Sequence, residues 1–144
     1  MMTSLNSRVS AFTLLESLVV LLITSFTVIA LSASVSQVFK SIEEELFYLS
    51  FEQLYRDTQK LSCVKQEKMT LHISEAIISN GVSEINIPDL VQVPKDYTIH
   101  FNQSGGNSSL SKVIFKTQDK EVSYQLYIGS GNYKKTENKS LHSP

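Results

Sequence analysis

From Ser17 to Phe39 the chain carries no charged side chain, whereas every later segment mixes charged, polar and apolar residues. At about 1.5 Å per residue, a helix over those 23 residues is roughly 34 Å long, against a bilayer hydrocarbon core of about 30 Å. One crossing fits. A secretory signal has an apolar region of only about 7–15 residues that ends at a small-residue site. Here the small residues Ser32, Ala33, Ser34 and Ser36 come late, and the run is long for the buried helix of a soluble domain. The pattern predicts a membrane helix. Glu16 stands near its beginning, and an ionised side chain at the bilayer centre costs about 2.5–3.5 kcal/mol or more. A carboxylate in that position is either at the membrane edge or functional.

The helix is expected to continue beyond the membrane, because Phe39–Leu61 contains no Pro or Gly and is dominated by helix formers. Its apolar residues fall into two sets at steps of three and four. One is Phe39, Ile42, Leu46 and Leu49; the other is Phe47, Phe51, Leu54, Thr58 and Leu61. At about 100° per residue the two stripes lie roughly 120° apart, and Glu52, Arg56 and Gln59 fall on a third, polar face. One solution docks the upper stripe on the chain's own globular domain and leaves the lower stripe to neighbouring subunits. The other is a single wide apolar face.

Beyond Cys63 the period changes from helical to two. Met69, Leu71 and Ile73 alternate with Thr70, His72 and Ser74, and Ala76–Ser79 leads through the turn dipeptide Asn80-Gly81 to Val82, Ile85 and Ile87, a hairpin. Pro88 and Pro94 bracket a loop, YTIHF (Tyr97–Phe101) reads as a strand, and QSGGNSS (Gln103–Ser109) as a flexible connection. Val113–Thr117 and Val122–Ile128 form a second hairpin, followed by a Gly129–Asn132 turn and a short strand at Tyr133. The polar stretch 136–144 is expected to be a flexible tail. The fold class is therefore α+β: a long N-terminal membrane-spanning helix followed by a small antiparallel β-sheet domain. Residues 12–39 form the transmembrane part, 40–62 a helical stalk packed on the globular domain, and 63–135 the β domain.

Composition adds mainly exclusions. The chain has 144 residues, a formal net charge of −1 and one cysteine, Cys63, so no disulfide can form within it. Cys63 reads as a small half-buried residue near a helix end, with an intermolecular disulfide left open. His72 and His100 sit inside strand patterns, no Cys/His pair has metal-ligand spacing, and the glycine stretches lack the lysine of a phosphate loop. No enzyme, metal or cofactor is expected. In the last third, lysines outnumber carboxylates and tyrosines are interleaved among them. Lys134 and Lys135 beside Tyr133 form a candidate DNA contact, set against the alternative that lysines protect a sheet edge.

The stretch AFTLLESLVVLLI, residues 11–23, resembles the N-terminal signature of class III signal sequences, shared by type IV pilins and type II secretion pseudopilins. ELFYLSFEQLYRDTQKLS, Glu45–Ser62, is similar to the stalk of ComGD-type minor pseudopilins of Gram-positive competence machinery, as are the hairpins and the GSGNY turn that follow. The resemblance implies a pilin-like fold, a leader 1–11, and cleavage between Ala11 and Phe12 by a prepilin peptidase on the cytoplasmic side. It also implies N-methylation of Phe12. Glu16 then becomes the fifth mature residue, expected to pair with the N-terminal amine of a neighbouring subunit. Both charges are costly in apolar surroundings and pairing offsets part of that cost, so the pair would set axial register more than it adds stability. Ala11 stands where the family usually has Gly, and position 33 is Ala where major pilins often have Pro nearby, which favours a minor subunit.

Three functional readings follow. The first is a minor pilin of a competence type IV pilus, initiating assembly or capping the tip and serving DNA uptake. Its partners are other major and minor pilin subunits, the prepilin peptidase, the pilus assembly platform and the membrane. The location is a single-pass membrane protein with a cytoplasmic N-terminus, then a surface pilus. The second is a minor pseudopilin of a type II-like secretion or adhesion pilus. The third is a permanently anchored binding module.

Overall fold

The computed structural model describes residues 6–139, with side chains described for residues 13–32 and 35–139. The chain forms two units, Met1–Ser41 and Ile42–Pro144. One helix, α1, is assigned over Asn6–Lys65.

In the first unit the helix is long and apolar enough to cross a membrane. Its large side chains, among them Leu18, Leu21, Leu22, Phe26 and Ile29, are exposed. Polar residues within the run are reconciled with an apolar setting by bonding backward. The hydroxyls of Ser17, Thr24, Thr27 and Ser32 donate to the carbonyls of Thr13, Val20, Ile23 and Val28, at 2.9, 2.9, 2.8 and 2.8 Å. A hydroxyl satisfied this way leaves no unpaired donor to be desolvated.

The second unit has its own core. Seven strands follow the helix: β1 (Met69–Ile73), β2 (Ile77–Ser79), β3 (Glu84–Asn86), β4 (Tyr97–Phe101), β5 (Lys112–Lys116), β6 (Lys120–Leu126) and β7 (Tyr133–Lys139). They form two antiparallel sheets, ordered β3-β2-β1-β4 and β5-β6-β7. Alternation decides the faces. Leu71, Ile73, Ile99 and Phe101 point inward, while Thr70, His72, Thr98 and His100 share the solvent face. Both histidines thus lie on a sheet face, as expected.

The two stripes of the stalk part company here. Phe47, Phe51 and Leu54 are 4%, 1% and 5% exposed, whereas Ile42, Leu46 and Leu49 are 49%, 58% and 61% exposed. The upper stripe packs on the sheets through aromatic edges: Phe47 and Phe51 meet Phe115 at 5.2 and 5.0 Å between ring centroids, and Phe51 meets Tyr124 at 4.9 Å. Tyr48 and Tyr55, which neither stripe contained, are buried as well. The helix ends with Gln66 in the left-handed region (φ 54°) and the amide of Glu67 donating to the Ser62 carbonyl at 3.2 Å. That is a Schellman closure with glutamine in the position glycine usually takes.

Three expectations change. The sheet is two sheets, linked where the Ile114 amide of β5 donates to the Tyr97 hydroxyl of β4 at 3.3 Å, while Gln92 in the β3–β4 loop pairs with Lys116. The stretch 136–144, expected as a flexible tail, is a strand as far as Lys139, because β7 pairs with β6 through the backbone along its whole length and needs no apolar side chains to do so. The stretch Gln103–Ser109, expected as a flexible connection, is packed at its centre: Gly105, Gly106 and Asn107 are buried.

Candidate functional site

Of the residues singled out in the sequence, Ala11 and Phe12 lie in helical backbone and their side chains fall outside the described residues. Glu16 is exposed and forms no ion pair among the described residues. The possible DNA trio is divided by the fold. Lys135 reaches back to the helix, with Nζ 3.1 Å from Glu52 Oε1 and lying over the rings of Tyr48 and Tyr124 at 5.2 and 5.8 Å. Tyr133 packs edge-on against Tyr55 and Tyr124 at 5.2 and 5.3 Å. Lys134 alone of the three sits on the outer face of β7, opposite Gln125, which itself pairs with Lys112 of β5.

The sequence pattern gave no sign of the seam that joins α1 to β6 and β7. Lys120 Nζ lies 3.3, 3.2 and 3.1 Å from carboxylates of Glu44, Glu45 and Glu137, and sits over the Tyr48 ring. Burial works against the Lys120 charge, but hydrogen bonds to Glu137, Glu45 and Glu44 outweigh it and raise its pKa above the ordinary lysine range. Glu52 accepts from both Lys135 and the Tyr124 hydroxyl, the latter at 3.0 Å. Burial alone would raise its pKa; those two hydrogen bonds and the Lys135 charge hold it below the usual carboxylate range. Burial followed by adjacent carboxylates pushes the phenols of Tyr48 and Tyr124 up, and burial carries Tyr55 to about 12. Lys120, Glu52 and these tyrosines therefore keep single ionisation states near neutral pH, and the seam clamps the helix to β6 and β7.

A second junction is built on glycine. Gln59 donates to the Gly105 carbonyl at 2.9 Å, and the Tyr55 hydroxyl to the Gly131 carbonyl at 3.1 Å. The Gly129 amide bonds the Asn107 carbonyl at 2.8 Å, tying the two glycine turns together. Gly131 has φ +65°, and a Cβ there would collide with the Gln59 amide nitrogen and come within 2.6 Å of the Gly105 carbonyl. Cys63 is half-buried and free, its sulfur beside Gly105.

Beside this junction lies a groove of about 510 Å³, lined by Arg56, Lys60, Asn132, Tyr133 and Lys135 among others. The Tyr133 hydroxyl is buried and makes no well-formed hydrogen bond among the described residues. Arg56 and Glu52 are near enough to bias its ionisation, burial being the largest influence and an upward one. No group of His, Cys, Asp or Glu among the described residues is arranged to hold a metal ion.

The remaining large surface is apolar: the exposed side chains of residues 14–31 and the lower stripe of the stalk. Among known proteins, competence protein ComGD of Streptococcus pneumoniae (strain ATCC BAA-255 / R6) is 44% identical over 130 residues, covering 90% of this chain and 81% of that protein. No protein-family model matches the chain, and no solved structure does.

Proposed function

Because the chain belongs to the ComGD family of competence proteins, we propose that it is a minor pseudopilin of a competence pilus, serving assembly of that filament and so DNA uptake. What carries the reading is the division within α1: residues of the first unit leave their apolar side chains uncovered, whereas the stalk buries one stripe in its own domain. A chain built this way needs an outside partner for its first unit, first lipid and then the helices of other subunits.

Under this proposal residues 1–11 are a leader, with the N-terminus in the cytoplasm. The prepilin peptidase cuts between Ala11 and Phe12, and Phe12 is methylated. The new amine and Glu16 are the charges that set register, each meeting its opposite on an adjacent subunit. The lower stripe (Ile42, Leu46 and Leu49), exposed on the stalk, adds to the inter-subunit contact above the membrane. No step is catalytic; the work is done by protein–protein contact with other pilin subunits and the assembly platform. DNA contact by Lys134 is a smaller part of the proposal. Its neighbour Lys135 already bonds Glu52, and Lys112 and Lys116 share its sheet face, Lys116 being 3.5 Å from Glu121.

Mass spectrometry of the N-terminal peptide, with and without the prepilin peptidase, tests the reading. The expected result is a peptide beginning at methylated Phe12 in the presence of the enzyme only. An uncut N-terminus in both strains would turn the reading to a permanently anchored module. Glu16→Gln should leave processing intact and abolish incorporation into filaments.

A further inference from the structure

The groove between α1 and the start of β7 belongs to neither the clamp nor the exposed apolar surface. Its cations are not equivalent. Lys135 is held by Glu52 at 3.1 Å, and Lys60 lies 4.0 Å from Asp57. Arg56, exposed, forms no ion pair among the described residues, its neighbours being the Tyr133 hydroxyl and, more weakly, the Glu52 carboxylate. Below it the Tyr133 hydroxyl is buried without a well-formed hydrogen bond, with Arg56 and Glu52 as its polar neighbours. The groove thus holds one exposed guanidinium outside any ion pair, an ammonium at its rim and one buried hydroxyl between them and Glu52.

We propose that this groove receives the carboxylate of an aspartate or glutamate on a neighbouring filament subunit, with Arg56 as its fork and Lys60 as the second cation; the proposal rests on the chain being a filament subunit. A guanidinium offers two parallel donors matched to a carboxylate. A volume of about 510 Å³ suits an inserted side chain with its flanking backbone. Arg56 keeps donors free after taking the carboxylate, and the Tyr133 hydroxyl beside it is an acceptor for one of them. Nucleic acid is the less suitable occupant. It requires several cations outside ion pairs along a stripe, whereas this groove has one, in a chain of net charge −1.

The test uses the full-length chain in membranes and pili of competent cells, treated with a carbodiimide that joins an amine to a carboxylate in direct contact. The expected product is a branched peptide linking Lys60 to an Asp- or Glu-containing peptide of another subunit. Arg56→Glu should lower its yield roughly tenfold or more, and Arg56→Lys, which keeps the charge without the fork, by less. Both variants should keep normal protein levels and a normal Phe12 N-terminus. Coupling of Lys60 to Asp57 alone, in a chain still processed and still found with other subunits, would overturn the groove proposal and leave the filament reading standing. A chain neither processed nor found in any filament would overturn both. Loss of salt-sensitive DNA binding in Arg56→Glu, with the cross-link unchanged, would also overturn it and reassign the groove to phosphate.

Discussion

Two stretches of one helix obey the same spacing rule and meet different fates. Leu18, Leu22 and Phe26 recur at steps of four and are all exposed; Phe47, Phe51 and Leu54 recur at steps of four and three and are buried. Spacing alone therefore says that a helix has an apolar face, not what covers it. The difference lies downstream: Phe115 and Tyr124 exist to meet Phe51, and nothing in the second unit is needed to satisfy Ser17–Ser32. The second unit is self-sufficient, and the first is built for an environment.

The largest effect that sharpens this contrast is expected from truncating the buried stripe. Phe51→Ala should cost the second unit about 3–5 kcal/mol of stability, while Leu22→Ala should change it by less than about 0.5 kcal/mol. With no tryptophan in the chain, near-ultraviolet circular dichroism of the tyrosines follows unfolding of the detergent-solubilised protein. Equal sensitivity of the two positions would erase the distinction. Next comes the glycine junction. Gly131→Ala forces a Cβ against Gln59 at a positive φ and should cost roughly 2 kcal/mol or more, read by the same melt.

The clamp gives a smaller and pH-dependent effect. Glu52 has a folded-state pKa below its unfolded value, so its stabilisation is present above the unfolded pKa of about 4.3 and is lost as pH falls through the lower folded value. Glu52→Gln should cost about 1 kcal/mol at neutral pH, and the variant should show a shallower loss of stability below about pH 4.3 than the parent. Parallel curves through that window would remove Glu52 from the clamp. The smallest effect runs the other way. Gln66→Gly relieves a left-handed residue at the helix end and should add roughly 0.5–1 kcal/mol; a loss would mean that the Gln66 side chain, which bonds the Cys63 carbonyl at 2.7 Å, outweighs its backbone strain.

What could be read from the chain beforehand was whatever depends on near neighbours. YTIHF is a strand over Tyr97–Phe101 because its alternation is local, and the two stalk stripes follow from turns of one helix. The glycine turns were opaque for the opposite reason. Gly105 and Gly131 look like linkers until Gln59 and Tyr55, dozens of residues away, are seen to use their carbonyls. The same holds for Lys120 and Lys135, whose charges suggested an outward-facing surface and whose partners are on the helix. Strand β7 was hidden by its polar side chains, since the backbone ladder with β6 needs no apolar alternation. Glu16 was conspicuous in the sequence, and its partner belongs to another molecule under the proposed function.

The hydroxyls of Ser17, Thr24, Thr27 and Ser32 close on their own helix, and this bears on motion as well as solubility. Hydroxyls turned in on their own helix offer no fixed grip to lipid or neighbour, and under the proposed function that suits a subunit drawn lengthwise out of a bilayer. From Thr13 to Phe39, Glu16 is the one charged side chain, and under the proposed function the height at which the helix stops depends on where that mark finds its match.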